Sequence, residues 1–485
     1  MSSSFLRGSY WLGGVAVLVL VSVLPASAQD LPEVRKVAEA LSRAVTFFHG
    51  QVAVGGGYVW RYSGDLQLRE GEGVTDGTQV IWVQPPGTPT VGQAFLEAYA
   101  ATQDARYLQA ARDAAAALLS GQMHSGGWYY SIELDPGKRQ EYAYRDLPQR
   151  SVSRWYEATT LDDDTTQAAV RFLMRYDELT GFRDERVHEA VGYALASLLA
   201  AQYPNGAWPV NWITYPSPAD PAEFPVLAAS YPPEWPRRWP KTFAGCYVLN
   251  DDLIADMVQT MLQAWDTYGD QRYFDSACRA GGFLLLAQMP EPQPAWAQQY
   301  NRQMHPEWAR KFEPPAVVSH ESMGAMETLL LLYRRTGDRK YLEPIPRALA
   351  YLRASLLPDG RIARFYELQT NRPLYFTRDY QLTYEANDLP THYSFILQPS
   401  LDRVEAEYQA VAAARPDQLW PLPAPPAPSA AEVARVIAAL DERGAWVEPG
   451  PTMDAHDLKP PSGVIQSQTF VENVSLLCRY LRSAY

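Results

Sequence analysis

The strongest constraint on this chain is a unit that recurs four times. It reads ATQDARYLQAARDAAAALLSGQMHSGGW from Ala101, ELTGFRDERVHEAVGYALASLLAAQYPNGAWP from Glu178, DTYGDQRYFDSACRAGGFLLLAQMPEPQPAW from Asp266 and RRTGDRKYLEPIPRALAYLRASLLPDGRIARFY from Arg334. Each copy is a polar turn, an Arg-Tyr or related pair, an amphipathic helical pattern, and a Gly/Pro loop that ends on an aromatic. In the first copy Leu108, Ala111, Ala115, Leu118 and Leu119 share a helix face; in the second Val187, Val191, Ala194, Leu195 and Leu198 do. A further helical pattern precedes each of three copies, over 165–179, 253–268 and 322–333. The repeating unit is therefore a helical hairpin with a short turn.

Hairpins repeated with no strand pattern between them predict an all-α fold, a solenoid or a closed (α/α) toroid. Every Gly/Pro loop comes after the second helix of its hairpin, so these loops should gather at one end and build a shared cleft. Outside the repeats, 32–48, 430–443 and 469–481 read as helices, the last placed to close the ring. No shift in composition marks a second domain, and residues 29–485 are expected to form one toroid.

Residues 1–28 read as a secretory signal, with Arg7 as the positive start, an apolar core over 11–24 and Ala26-Ser27-Ala28 as the cleavage site. A core of about 14 residues is short for a bilayer span, which needs roughly 20. A secreted or periplasmic protein is expected, without a membrane span once the signal is cut, and a monomer. Three cysteines, Cys246, Cys278 and Cys478, are few for a chain stapled by disulfides, although they leave one bridge open. Stability should come from a large apolar core.

Without the signal, 41 basic residues face 55 acidic ones. That balance argues against nucleic acid as a partner. It leaves an acidic substrate open, because local clusters decide binding. No P-loop, dinucleotide fingerprint or HExxH occurs, and the seven histidines show no metal-ligand spacing.

Five stretches carry chemistry. Thr160–Gln167, TLDDDTTQ, packs three aspartates before a helix. One cap needs a single such residue, and adjacent carboxylates repel unless a cation neutralises them; oxygen ligands of this kind suit calcium or magnesium. AQYPNGAWP, residues 201–209, is a helix end and turn in which Tyr203 or Trp208 is a candidate sugar platform, with a core plug as the alternative for Trp208. VLNDDL, residues 248–253, again opens a helix. ARFYELQTNRPLYFTRD, residues 363–379, carries Arg364, Arg372 and Arg378; an arginine fork matches a carboxylate, or closes its own ion pair. The fifth, WAQQYNRQMHPEWARKFEPPAVVSHES over 296–322, is a helix-breaking, aromatic-lined loop carrying Gln298 and Arg310, with Pro314 and Pro315 fixing its backbone and Glu321 opening the next helix. A Pro- and Trp-rich insertion, 216–240, ends at Lys241, either a contact to an anionic ligand or a solvated lysine.

In their order along the chain the five stretches resemble the pectic acid lyases of polysaccharide lyase family 10. The likeness covers about 126–395. That family reads TIDNGAT, AQYPNGGWPQ, TFNDDAM and ARFYDLETNRPIFGGRD where this chain has its four shorter stretches. The resemblance implies a pectate lyase that cleaves polygalacturonate, or a related acidic polysaccharide, by β-elimination. It implies calcium held by Asp162 and Asp251, Arg310 as the base, and substrate contacts from Arg364, Arg378, Tyr203, Trp208, Lys241 and Gln298. Guanidinium is almost always protonated, so neighbouring cations would have to lower the pKa of Arg310, and activity should rise with pH. The chain departs from the family at Asp163, where asparagine is usual, and at 385–393, EANDLPTHY, where a Glu-Arg-Arg-Thr-Gly-Tyr run is usual. Two other readings stand beside it: a toroidal glycoside hydrolase using paired carboxylates such as Asp162 and Asp251, and a uronate-binding protein without turnover.

Overall fold

The polar turn of the repeat is a helix stop fused to a helix start. Gln103, Gly269 and Gly337 adopt left-handed φ values of 59°, 70° and 69° and donate their N–H groups to the carbonyls of Tyr99, Trp265 and Tyr333. The next residue, Asp104, Asp270 or Asp338, accepts the N–H two residues on and so caps the helical turn that begins there. A left-handed stop and an aspartate start reverse the chain within two residues. Tyr107, Tyr273 and Tyr341 then turn into the core. This is why the repeat spells Asp, any residue, a basic residue and Tyr.

The computed structural model describes residues 32–73, 79–149, 157–243, 245–422, 424–450 and 452–484, so the candidate signal lies outside the described residues. Among them are the helices α1 (Pro32–Phe47), α2 (Thr88–Thr102), α3 (Ala105–Leu119), α4 (Thr165–Leu179), α5 (Glu185–Ala201), α6 (Leu253–Tyr268), α7 (Gln271–Ala287), α8 (Ser319–Thr336), α9 (Ile345–Ala354), α10 (Leu401–Ala413), α11 (Ala430–Ala438) and α12 (Ser467–Ser483). Neighbouring inner helices pack in the order α12, α2, α4, α6, α8, α10, while α3, α5, α7 and α9 lie outside as hairpin partners. The last helix returns to the beginning: α12 packs on α2 and α1. The fold is an (α/α) toroid.

At the loop end a second device repeats. The indole N–H groups of Trp128, Trp208, Trp296 and Trp446 donate to the carbonyls of Leu118, Leu198, Leu284 and Val436, at 2.8–2.9 Å, satisfying groups that a helix end leaves free. Gln122, Gln202 and Gln288 each donate to a carbonyl of their own loop and to one of the next hairpin, Ala190, Ser276 or Pro344. These buried amides stitch successive hairpins together. Gly206 is required in the second copy, since its φ is +99° and a Cβ there would meet the Arg279 carbonyl oxygen at 2.1 Å.

The helices over 165–179 and 253–268 have the bounds expected from periodicity. Four others differ, α12 by two residues at each end, Ser467–Ser483 against 469–481. α8 starts at Ser319 rather than 322, since Ala316–Val318 is a strand that runs straight into it; α11 stops at Ala438, short of 443, where Leu440 bridges Trp446; and α1 opens into a wide turn over Phe48–Val52. All three cysteines are free, which closes the possibility of a bridge. Among the described residues no helix is long and apolar enough to cross a membrane.

Candidate active site

Two inner helices begin with the same unusual turn. Before α4, Asp163 (φ 49°, ψ 40°) and Asp164 (φ 58°, ψ 21°) are both left-handed; before α6, Asp251 (φ 51°, ψ 41°) and Asp252 (φ 55°, ψ 18°) repeat that backbone. Aspartate tolerates this region better than most residues, but each such position still costs on the order of 1–3 kcal/mol. Short strands aim both turns. Thr159–Thr160 pairs with Asn211–Trp212, and Tyr247–Val248 pairs with Gln299–Tyr300. The Leu161 N–H donates to the Val210 carbonyl at 2.7 Å and the Leu249 N–H to the Gln298 carbonyl at 2.8 Å.

The turns bring Asp162, Asp163 and Asp251 together, with one oxygen from each within 4.8 Å of the others. By backbone position the counterpart of Asp251 is Asp163, so the residue that departs from the family pattern belongs to the cluster. Tyr130 donates its hydroxyl to Asp162 Oδ2 at 2.6 Å, and Gln84 Nε2 donates to Asp163 Oδ2 at 2.8 Å. Burial and then the charges of Asp162 and Asp251 push the Asp163 carboxyl up to about 7. Burial and then Asp162 push Asp251 up to about 6, against the pull of Arg310. Carboxylates held this close are short of positive charge, and a hard divalent cation would supply it. Asp164 has another use: it pairs with Arg171, whose Nη1 donates to Thr260 at 3.0 Å.

Arg310 rises from its loop beside this cluster. Its Nε and Nη2 donate to Glu313 at 2.8 and 2.5 Å, and its backbone N–H donates to the same carboxylate at 2.9 Å. The arginine side chain is 52% exposed and the glutamate 1%. Hydrogen bonding to Glu313 raises the Arg310 pKa further above its ordinary value, outweighing the opposing effect of burial. Burial alone would raise Glu313, but the bonds and charge of Arg310 outweigh it and hold that carboxyl below its usual range. The expected ring of depressing cations is therefore replaced by a carboxylate acting in the opposite direction.

The 216–240 insertion fastens this loop. Trp239 donates to the Ala309 carbonyl at 2.9 Å, Trp235 to that of Pro315 at 2.8 Å, and Trp308 to that of Pro236 at 2.5 Å. Arg237 anchors the strap to the buried Glu367 at 2.8 Å.

No protein-family model and no curated protein matches this chain. Similar solved structures exist. A family 10 polysaccharide lyase from Cellvibrio cellulosa is 19% identical, with 67% of this chain and 97% of the lyase covered and a TM-score of 0.45. A D-mannose isomerase is 13% identical, covering 95% and 100%, at 0.46. An α-1,6-mannanase from a Salegentibacter species is 12% identical, covering 92% and 98%, at 0.39.

The residues singled out in the sequence lie in different surroundings. Trp208 is fully buried as one of the four loop plugs, so no face is open to a sugar. Gln298 is buried too, and donates to Glu313 Oε1 at 2.8 Å, holding the partner of Arg310. Tyr203 stacks on Phe224 at 4.3 Å and lines a cavity with Asn211 and Cys246. Lys241 is exposed at the end of the insertion with φ 64°. Arg378 is 71% exposed and pairs with Asp388 at 3.4 Å, in the run that replaces the family's arginines. Arg364 belongs to the site: its Nε donates to the Ser394 carbonyl at 2.9 Å, its guanidinium lies 4.6 Å over the Tyr393 ring, and Nη1 is 3.6 Å from Glu321.

Two further acidic residues lie at the site, Glu313 and Glu321, neither of them singled out in the sequence as a site residue. Glu313 carried a readable signal, an Arg-x-x-Glu spacing inside the Arg310 stretch. Glu321 is buried without a hydrogen-bond partner for either oxygen, and burial pushes it up to about 7 despite Arg364.

Proposed function

We propose that this chain is an exported polysaccharide lyase that cleaves polygalacturonate, or a closely related uronan, by β-elimination. The observation that carries the proposal is the convergence of Asp162, Asp163 and Asp251, from two separate hairpins, within 4.8 Å of one another. Their donor set and charge surplus fit calcium, with Asp163 added to the two ligands that the family resemblance implies. When bound, calcium would draw off the charge that develops as C5 of a uronate loses its proton.

The chain's own residues do the rest. Arg364 takes the uronate carboxylate, its orientation held by the Ser394 carbonyl and the Tyr393 ring. Arg310 gives Nε and Nη2 to Glu313, which leaves Nη1 to receive the C5 proton. As that proton leaves, the C4–O bond breaks, a C4–C5 double bond forms, and the departing sugar oxygen takes a proton from water, while Arg310 returns its own to solvent. Glu313 keeps Arg310 cationic, so the neutral form is scarce at neutral pH and increases about tenfold per pH unit. Activity should climb steeply into the alkaline range.

A second reading has support of its own. Asp163, raised to about 7, suits the acid of a glycoside hydrolase, with another carboxylate of the same cluster as its partner. Assays on several uronans, with calcium or with EDTA and across pH, separate the two. The lyase gives an ultraviolet-absorbing unsaturated product that disappears with EDTA and in Arg310→Ala. Reducing ends without that absorbance, unaffected by EDTA, would establish the hydrolase instead.

A further inference from the structure

Beside the strands that aim the two aspartate turns lies a separate cavity of about 520 Å³. That volume lies in the range of small-ligand sites, about 300–1,000 Å³. One wall is Asn211, paired with Thr160 just before Asp162. The other is Cys246, whose N–H donates to the Tyr300 carbonyl at 2.7 Å, with Asn301 and Arg302 next to it across the hairpin. Cys246 is five residues from Asp251, a reach of at most about 17 Å even for extended chain. The cavity therefore flanks the carboxylate cluster at a distance that successive units of one polymer can span.

Its lining has the chemistry of an anionic sugar site. Arg302 contributes a guanidinium that is 49% exposed and whose nearest carboxylate, Glu223, is 3.9 Å away and itself 64% exposed. An ion pair so open and so long contributes little, so the fork remains available to a better-placed carboxylate. The guanidinium carbon lies 4.4 Å from the centroid of Phe224, which stacks on Tyr203 at 4.3 Å, so the cation is held on an aromatic pillar. Asn301 and Asn211 place amides beside it, and Phe243, 53% exposed, offers an open ring face. An exposed ring, amides and a weakly paired arginine around one concavity are what a uronate ring with a free carboxylate requires.

We infer that this cavity is a distal uronate subsite in which Arg302 binds the carboxylate of a sugar remote from the scissile bond. The inference rests on the uronide reading above, and it adds a contact that needs no metal. Longer oligomers reach the cavity while they occupy the aspartate cluster; short ones do not.

Calorimetric titration of the full chain in EDTA, where turnover is blocked, tests it. Hexagalacturonate should bind the wild type about tenfold more tightly than Arg302→Gln. Methyl-esterified hexamer, lacking the carboxylate charge, should not distinguish the two proteins. Unchanged melting of Arg302→Gln verifies that the half-exposed substitution leaves the fold intact. Equal hexamer affinity in wild type and variant overturns the subsite, as does absence of wild-type binding without calcium; neither result touches the lyase reading, which its own product assay decides. A chain that binds hexamer through Arg302 yet yields no unsaturated product upholds the subsite and removes the lyase.

Discussion

Arg310 gives two of its guanidinium nitrogens to one buried carboxylate, and that partner sets the direction of its acid–base chemistry. Glu313 favours the cation, so replacing it by glutamine, of nearly the same shape, should enlarge the neutral fraction of Arg310 at every pH. The rising limb of kcat/KM against pH is then expected to move down by roughly one unit in Glu313→Gln, even if the maximum falls as the loop loosens. A limb that stays in place would remove Arg310 from the role of base. Glu321 offers a test through stability. Its folded pKa, pushed up to about 7, lies above the ordinary glutamate value, so the folded state binds that proton more tightly than the unfolded chain. The stability it contributes is complete below about pH 4.3 and is lost as pH rises through about 7. In EDTA, the wild-type melting temperature should therefore decline across that window, and Glu321→Gln should flatten the decline. Parallel curves for the two proteins would show that Glu321 titrates normally.

At the scale of elements, Trp208 shows what the sequence made legible and what it obscured. The matching stretch 201–209 suggested a sugar platform, because likeness to a family assigns motifs without saying which serve the scaffold. The repeat held the answer, since Trp128 and Trp296 end the first and third copies and do the same work on the Leu118 and Leu284 carbonyls. Trp208→Phe is thus expected to cost about 1–3 kcal/mol by leaving the Leu198 carbonyl unpaired, with KM for the polymer unchanged; thermal melting and initial rates report the two. A raised KM at unchanged stability would return Trp208 to the binding surface. The aspartate turns were half legible. Leu161-Asp-Asp-Asp and Leu249-Asn-Asp-Asp are visibly alike, but a pair of left-handed residues has no periodic signature, so the equivalence of Asp163 with Asp251 emerges only from the backbone. The strap over 216–240 was opaque for a related reason. Its three indole bonds join residues 70–80 positions apart to bare carbonyls, a partner that side-chain pattern cannot reveal.

At the scale of the molecule, hairpin periodicity led to a toroid because each unit buries only one face and needs a neighbour on either side. The final seam is where such a ring is most exposed to failure, since its two sides come from opposite ends of the chain. Here Phe470 of α12 stacks on Phe48 at 3.9 Å and 10°, meets Phe95 of α2 edge-on at 5.8 Å, and touches Trp446 at 6.3 Å. Those four rings join three sequence-distant regions in one cluster. Phe470→Ala should cost about 3–5 kcal/mol, the range for an aromatic removed from a packed core. If the ring is one cooperative unit, the variant melts in a single transition displaced as a whole, and the aspartate cluster, built on α4 and α6, loses its preorganisation at the same temperature. Calorimetry, with intrinsic fluorescence as a second probe, checks this. Two separated transitions, one near the wild-type temperature, would instead mean that α1 and α12 are an appendage to a core that holds the site without them.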